Sequence, residues 1–203
     1  MYELISTNIF NCKSCPTRCD NVSKGVYNFK NDSEFSEQFE NKIINKINSI
    51  KNYTASKCVV KEYPDIKIVK KDKSEIYLEV KVQQRTFMQI EQILPLSKLK
   101  PSETVALNLS DLLRYFEIIN LKKVKIYIVW VLANRLCMVP AEQHLLFYQD
   151  AEILQDIYQK EKDKRRFRRK SGKGDVVDGV HKGVTVNYHF SINELNLWEN
   201  FNL

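Results

Sequence analysis

The run Val124–Leu132, reading Val-Lys-Ile-Tyr-Ile-Val-Trp-Val-Leu, constrains this chain more than any other segment. Apolar residues occupy both parities, so neither face of a strand built from it can meet water. Such a strand belongs in the middle of a sheet with a layer of structure on each side. Helical patterns supply those layers. Phe35, Phe39, Ile43, Ile47 and Ile50 recur at spacings of three and four, which predicts a helix over Ser33–Ile50. Asp32 or Ser33 caps it, and Glu34 and Glu37 sit favourably in its first turns. Ser110–Glu117 reads as a capped amphipathic helix, and 141–164 as a long one carrying Leu145, Leu146, Ile153, Leu154 and Ile157. Strands are expected at Cys58–Tyr63, in a hairpin over 63–82, and at Arg135–Val139 after a turn at Ala133-Asn134; Thr86–Gln92 suits a short turn of helix. This alternation predicts an α/β fold, a mixed sheet flanked by helices.

The hairpin carries the chemistry. In Ile76-Tyr77-Leu78-Glu79-Val80-Lys81-Val82, the apolar residues share one face, and Tyr77, Glu79, Lys81 and Gln83 share the other. The preceding strand reads Tyr63-Pro64-Asp65-Ile66-Lys67-Ile68-Val69, and Lys71–Ser74 suits a short turn. If the turn centres on Asp72, Asp65 faces Glu79, with about 5 Å between the paired carbons. Two carboxylates so placed repel unless a cation lies between them, and Mg²⁺ prefers such oxygen ligands, completed by water and phosphate. Lys81, on the same face, can hold an attacking water as hydroxide or neutralise charge developing on a phosphorane. Gln83 keeps that parity and can hydrogen-bond a phosphate or a base, or simply end the strand; Arg85 can add a phosphate contact or stay solvated. Without a cation the pattern describes a hairpin with a solvated polar face.

Pro64-Asp65 followed by Glu79-Val80-Lys81 across a short hairpin resembles the signature of the PD-(D/E)XK nuclease superfamily, over about residues 33 to 140. The superfamily includes type II restriction endonucleases and archaeal Holliday-junction resolvases. The resemblance implies a restriction-endonuclease-like mixed sheet flanked by helices, phosphodiester hydrolysis dependent on Mg²⁺ or Mn²⁺, and Asp65, Glu79 and Lys81 as the catalytic core. Asp65 and Glu79 would be the metal ligands. Many members also carry a glutamate on the helix before the first core strand. Glu40 borders the buried stripe of the first predicted helix and is the choice for that role, against a glutamate that merely faces solvent.

The chain divides into a cysteine-bearing segment over 1–31, a nuclease-like core over 32–164, and a basic segment with a C-terminal hairpin over 165–203. At 203 residues, with 43% hydrophobic and 11% aromatic content, it can bury a core and is not disordered. No apolar run approaches a membrane span, and the start lacks the character of a secretory signal, so a cytoplasmic protein without membrane contact is expected. A formal charge of +7 favours an acidic polymer as partner. Arg165, Arg166, Arg168, Arg169 and Lys170 nearly adjoin one another, with Phe167 among them. Arginines grip phosphates bidentately and an interleaved aromatic can stack on a base, so this run predicts salt-sensitive contact with nucleic acid. A solvated helix end is the plainer account.

Val184–Phe190 alternates like a strand, and Val176–Gly183 offers a hairpin with turns at Asp178-Gly179 and Lys182-Gly183. His181 and His189 have no evident ligand partner and read as structural or surface residues. Cys12, Cys15 and Cys19 form a compact triplet that suits a metal before a disulfide. Zinc needs a fourth ligand, for which Cys58, His144 and His181 are candidates; an iron–sulfur cluster and three free thiols stay open. Cys137 reads as packing. The function expected is a Mg²⁺-dependent DNA endonuclease of restriction type, and a homodimer would let it cut both strands. The alternative is a non-catalytic nucleic-acid-binding protein with a structural metal site.

Overall fold

A computed structural model describes residues 29–60, 62–83, 86–133, 144–168, 176–177, 180–181 and 186–201. The fold is mixed α/β: a six-stranded mixed sheet with helices on both sides. Helix α1 (Phe29–Asn48) leads into β1 (Tyr53–Lys57), β2 (Ile66–Lys70) and β3 (Glu75–Gln83). A short α2 (Ile90–Ile93), strand β4 (Thr104–Asn108) and helix α3 (Leu109–Lys122) follow, then β5 (Lys125–Ala133), β6 (His144–Asp150) and α4 (Ala151–Glu161). Strands β7 (Arg166–Arg168), β8 (Val176–Val177), β9 (Val180–His181), β10 (Val186–Ser191) and β11 (Asn196–Leu197) complete the order. The main sheet runs β1-β2-β3-β5-β6-β11. Among the described strands only β3 and β5 are parallel, which is the pairing that requires a long crossover, here the one containing α3. A second sheet, β4-β10-β7, is antiparallel, and β8 pairs with β9 as the expected hairpin.

Strand β5 is central, as its composition predicts. Ile126, Ile128, Trp130 and Leu132 pack with α3, α4 and the second sheet, whereas Val129 and Val131 pack on the side of α1. The α1 stripe is buried at Phe39, Ile43 and Ile47, while Ile50 is left outside the helix and exposed. Each fully buried apolar side chain contributes about 1.5–3 kcal/mol, and β3 shares in both layers through Tyr77 on one face and Ile76, Leu78 and Val80 on the other. Among the described residues, no helix is long and apolar enough to cross a membrane.

Three sequence expectations are corrected. The strand expected at Cys58–Tyr63 lies earlier, at Tyr53–Lys57, because Ala55 is the residue that packs against α1; Val59 and Val60 are left exposed. The long helix expected over 141–164 is, from 144 onward, a strand and then a helix. Pairing with β5 takes Leu145, Leu146 and Phe147, and α4 starts where the Asp150 carboxylate accepts the Glu152 N–H. The run Arg166–Arg168, for which a solvated helix end was the plainer account, is a strand paired with β10. The strand expected at Arg135–Val139 lies outside the described residues, and β6 is the described partner of β5 beyond it. Strand β4 had no forecast. Strands β10 and β11, both beyond residue 165, are woven into the core, since β10 pairs with β4 and β11 joins the main sheet.

Candidate active site

The β2–β3 turn sets the register on which the site depends. Asp72 Oδ1 accepts hydrogen bonds from the Ser74 N–H at 2.9 Å and the Ser74 hydroxyl at 2.7 Å, while Lys73 takes the left-handed conformation at φ 67°. Ile68 consequently faces Ile76, and Ile66 faces Leu78. Asp65 directly precedes Ile66 of the latter pair. Its Oδ2 accepts the Val80 N–H at 2.8 Å, and its own carbonyl accepts the Cys58 N–H at 2.8 Å. Both the side chain and the backbone of Asp65 are thereby fixed at the mouth of the hairpin.

Glu79 is almost entirely enclosed, at 3% exposure. Lys81 Nζ lies 2.6 Å from its Oε1, and the Tyr115 hydroxyl donates to its Oε2 at 2.5 Å. Burial pushes the Glu79 carboxyl above the usual range, and Asp65 adds to the rise, against the pull of Lys81 and Tyr115. Asp65 is likewise raised by burial; the Val80 N–H, Lys81 and a hydrogen bond with Glu79 oppose the shift. Burial works to lower the Lys81 ammonium, but Glu79, Asp65 and Asp111 together hold it above its ordinary value. About a third of the Lys81 side chain stays exposed (32%).

Glu40 approaches from α1. Its Oε2 lies 3.6 Å from Lys57 Nζ, which also binds Glu37. Burial raises the Glu40 carboxyl, Lys57 opposes this, and the charges of Glu37 and Glu79 add to it. Asp65 in turn feels Glu40. Gln83 is used differently from the others: its Nε2 donates to the Ala106 carbonyl at 2.8 Å, tying the end of β3 to β4. Trp130 Nε1 donates to the same carbonyl at 3.1 Å.

Tyr115 and Asp111 were missed in the sequence. Both lie on α3, and Tyr115 is 2% exposed with its hydroxyl spent on Glu79. A tyrosine on the apolar face of a helix needs a partner for its O–H once buried, and that need was the available signal. Asp111 pairs with Arg114 at 2.8 Å and adds its charge to the field on Lys81.

The donor chemistry suits a hard divalent cation. Asp65 and Glu79 offer carboxylate oxygens whose mutual repulsion such an ion relieves. Among the described residues, no three His, Cys, Asp or Glu side chains cluster as metal ligands. A pair of carboxylates completed by water and substrate phosphate is how Mg²⁺ is commonly held.

The basic run divides. Arg165 is buried and forks onto Glu194, with Nη1 2.6 Å from Oε2 and Nη2 2.9 Å from Oε1. This corrects its expected place among the nucleic-acid contacts, because a guanidinium committed to a carboxylate inside the fold cannot reach a phosphate. Arg166 and Arg168 are exposed, and Arg166 keeps only a 3.4 Å contact with Asp163. Arg169, Lys170, Arg85, Cys137 and the triplet Cys12, Cys15 and Cys19 lie outside the described residues. His189 is buried, with Nδ1 3.1 Å from the Arg165 carbonyl, and burial lowers its pKa. The His144 ring meets Phe39 edge-on, and Cys58 is half-buried.

No protein-family model matches this chain, and no curated protein matches it. Among solved structures it is similar to Hjc, a Holliday junction resolvase from Archaeoglobus fulgidus. The TM-score is 0.42 and the identity 9%, over 79% of this chain and 86% of that one.

Proposed function

We propose that this chain is a divalent-metal-dependent DNA endonuclease of the PD-(D/E)XK type. One observation carries the reading. The Glu79 carboxylate, buried and 2.6 Å from the ammonium of Lys81, shares the end of the hairpin with the Asp65 carboxylate. Asp65 and Glu79 would hold Mg²⁺ or Mn²⁺, with Glu40 assisting from α1. When bound, the ion would supply Lewis-acid polarisation of the phosphodiester and a more acidic water.

The protein groups have separable tasks. Asp65, fixed by the Val80 N–H, presents its other carboxylate oxygen in a set position. Tyr115 and Lys81 each take one oxygen of Glu79 and fix its plane. Lys81, held above its ordinary value by Glu79, Asp65 and Asp111, would serve as a donor that neutralises charge developing on the phosphoryl oxygens. Exposed Arg166 and Arg168 would grip the backbone of the substrate.

Incubation of supercoiled, linear and single-stranded DNA with Mg²⁺, Mn²⁺ or EDTA tests the proposal. Metal-dependent nicking is expected, falling at least about 100-fold in Lys81→Ala, a loss in the usual range for removing one electrostatic stabiliser. Asp65→Asn should lose activity with the metal site. Retarded DNA that is never cut, whatever the metal, would leave a nucleic-acid-binding protein without catalysis.

A further inference from the structure

We infer that the segment Lys98–Lys100 and strand β7 together form one phosphate-binding surface for DNA. The inference rests on the proposed DNA-binding role and adds to it a second strip of cations that the sequence did not single out. Lys98 and Lys100 are exposed, while Leu99 between them is 2% exposed. Arg166 and Arg168 are exposed, while Phe167 between them is half-buried. Leu99 and Phe167 pack into the same small apolar cluster, with Ile90 and Leu94. The two middle residues thus pin two cation pairs around one anchor.

The surroundings favour a polyanion. The one-turn helix Pro95–Ser97 contacts the turn Lys162–Arg165, which adds exposed Lys162 and Lys164 to the same area. Glu161 contacts Lys164 at 3.8 Å and Asp163 contacts Arg166 at 3.4 Å. Among the described residues, Lys98, Lys100, Lys162 and Arg168 have no ion-pair partner. With Glu91 and Glu103, whose carboxylate accepts the Lys100 N–H at 3.3 Å, the acids here are four against six exposed cations. Strand β7 is also an edge of its sheet.

The surface is tied to the candidate active site. The Lys100 carbonyl accepts the Thr104 hydroxyl at 2.6 Å at the start of β4. Two residues on, the Ala106 carbonyl accepts the Gln83 amide, and Gln83 is two residues from Lys81. Counted in strand steps, the strip lies on the order of 15–20 Å from Lys81, or about five base steps of a duplex. A duplex engaged at Lys81 is long enough to reach it.

The test measures binding of a short DNA duplex in EDTA, where no cutting occurs, between 50 and 200 mM salt (roughly the range over which such slopes are read). Lys98→Asn/Lys100→Gln and Arg166→Gln/Arg168→Gln should each lower the slope of log affinity against log salt by about 2, and their combination by about 4. Asparagine suits the left-handed backbone at Lys98, where φ is 57°. Lys98→Arg/Lys100→Arg should retain the wild-type slope. Lys122→Gln/Lys123→Asn is the control: these lysines lie beside Lys125, at the end of the β3–β5 pair remote from Lys81. A wild-type slope in Lys98→Asn/Lys100→Gln, with a lowered one in the arginine variant, overturns the shared surface and leaves DNA binding standing. Absence of DNA binding by the unaltered chain overturns both.

Discussion

Tyr115→Phe isolates the bond that couples the crossover helix to the centre of the candidate site. The ring is 2% exposed and packs in the α3 core, so the substitution removes one hydroxyl and leaves the packing intact. What is lost is a hydrogen bond to an enclosed carboxylate at 2.5 Å. Bonds of this charged kind contribute about 1.5–3 kcal/mol, against about 0.5–1.5 kcal/mol for neutral pairs. For a domain of this size, each kcal/mol shifts the melting temperature by about 2–4 °C, so a fall of about 3–12 °C is expected. A double-mutant cycle with Glu79→Gln separates the charge from the shape, because glutamine keeps an acceptor and removes the charge. The coupling energy should be about 1–2 kcal/mol, the difference between charged and neutral bonds. Urea unfolding of the four proteins at pH 7 in EDTA measures it. A Tyr115→Phe loss that stays the same in the Glu79→Gln background would show that the hydroxyl does not act through that carboxylate.

Two further predictions concern charge inside the fold. Because Asp65 and Glu79 are raised, the native state holds their protons more tightly than the unfolded chain, and the stability this provides is full below 3.8 and 4.5 and lost as pH rises through the native values. In EDTA the urea midpoint should therefore fall as pH climbs from about 4.5 towards neutrality, with Asp65→Asn flattening the decline; an equally steep decline in that variant would assign the effect elsewhere. Arg165→Ala strands Glu194, which also accepts the Ser191 N–H at 2.9 Å. It should cost about 1.5–3 kcal/mol, read as a lower melting temperature, while leaving the salt dependence of DNA binding intact. A lowered salt slope would return Arg165 to the interface.

What could be read in advance followed locality. The register of the hairpin was legible because a short Asx turn at Asp72 fixes it from within a few residues. The burial of β5 on both faces was legible because its composition excludes any other place. Position 150 shows where reading failed: Leu145, Leu146 and Ile153 fit a helical stripe, and only the pairing of 144–150 with β5 overrode it. The Asp150 cap, followed by Glu152 in the first turn, did mark the true start of α4. Strand β4 is held by β10, some eighty residues later, and no local pattern announces a partner at that distance. Arg165 and Arg166 look alike as sequence; only the fold gives one a half-buried glutamate partner and leaves the other in water. Tyr115 was hidden for the same reason, since its partner lies 36 residues away.

These separations bear on how the site holds together. Glu79 belongs to a strand, Tyr115 to the layer on one face of the sheet, and Glu40 to the helix packed on the other. Groups from opposite faces ordinarily cannot meet through a sheet. They can influence one another here because Asp65 directly precedes β2, so the ladder between them has ended and Glu40 acts past that end on both Asp65 and Glu79. Three carboxyl groups raised by burial and acting on one another make an electrostatic liability that packing alone would not select. Lys81 offsets part of it from within the strand, and Lys57 offsets Glu40 from β1. The remaining negative charge gathers at that strand terminus, where the proposed divalent cation would be held by Asp65 and Glu79.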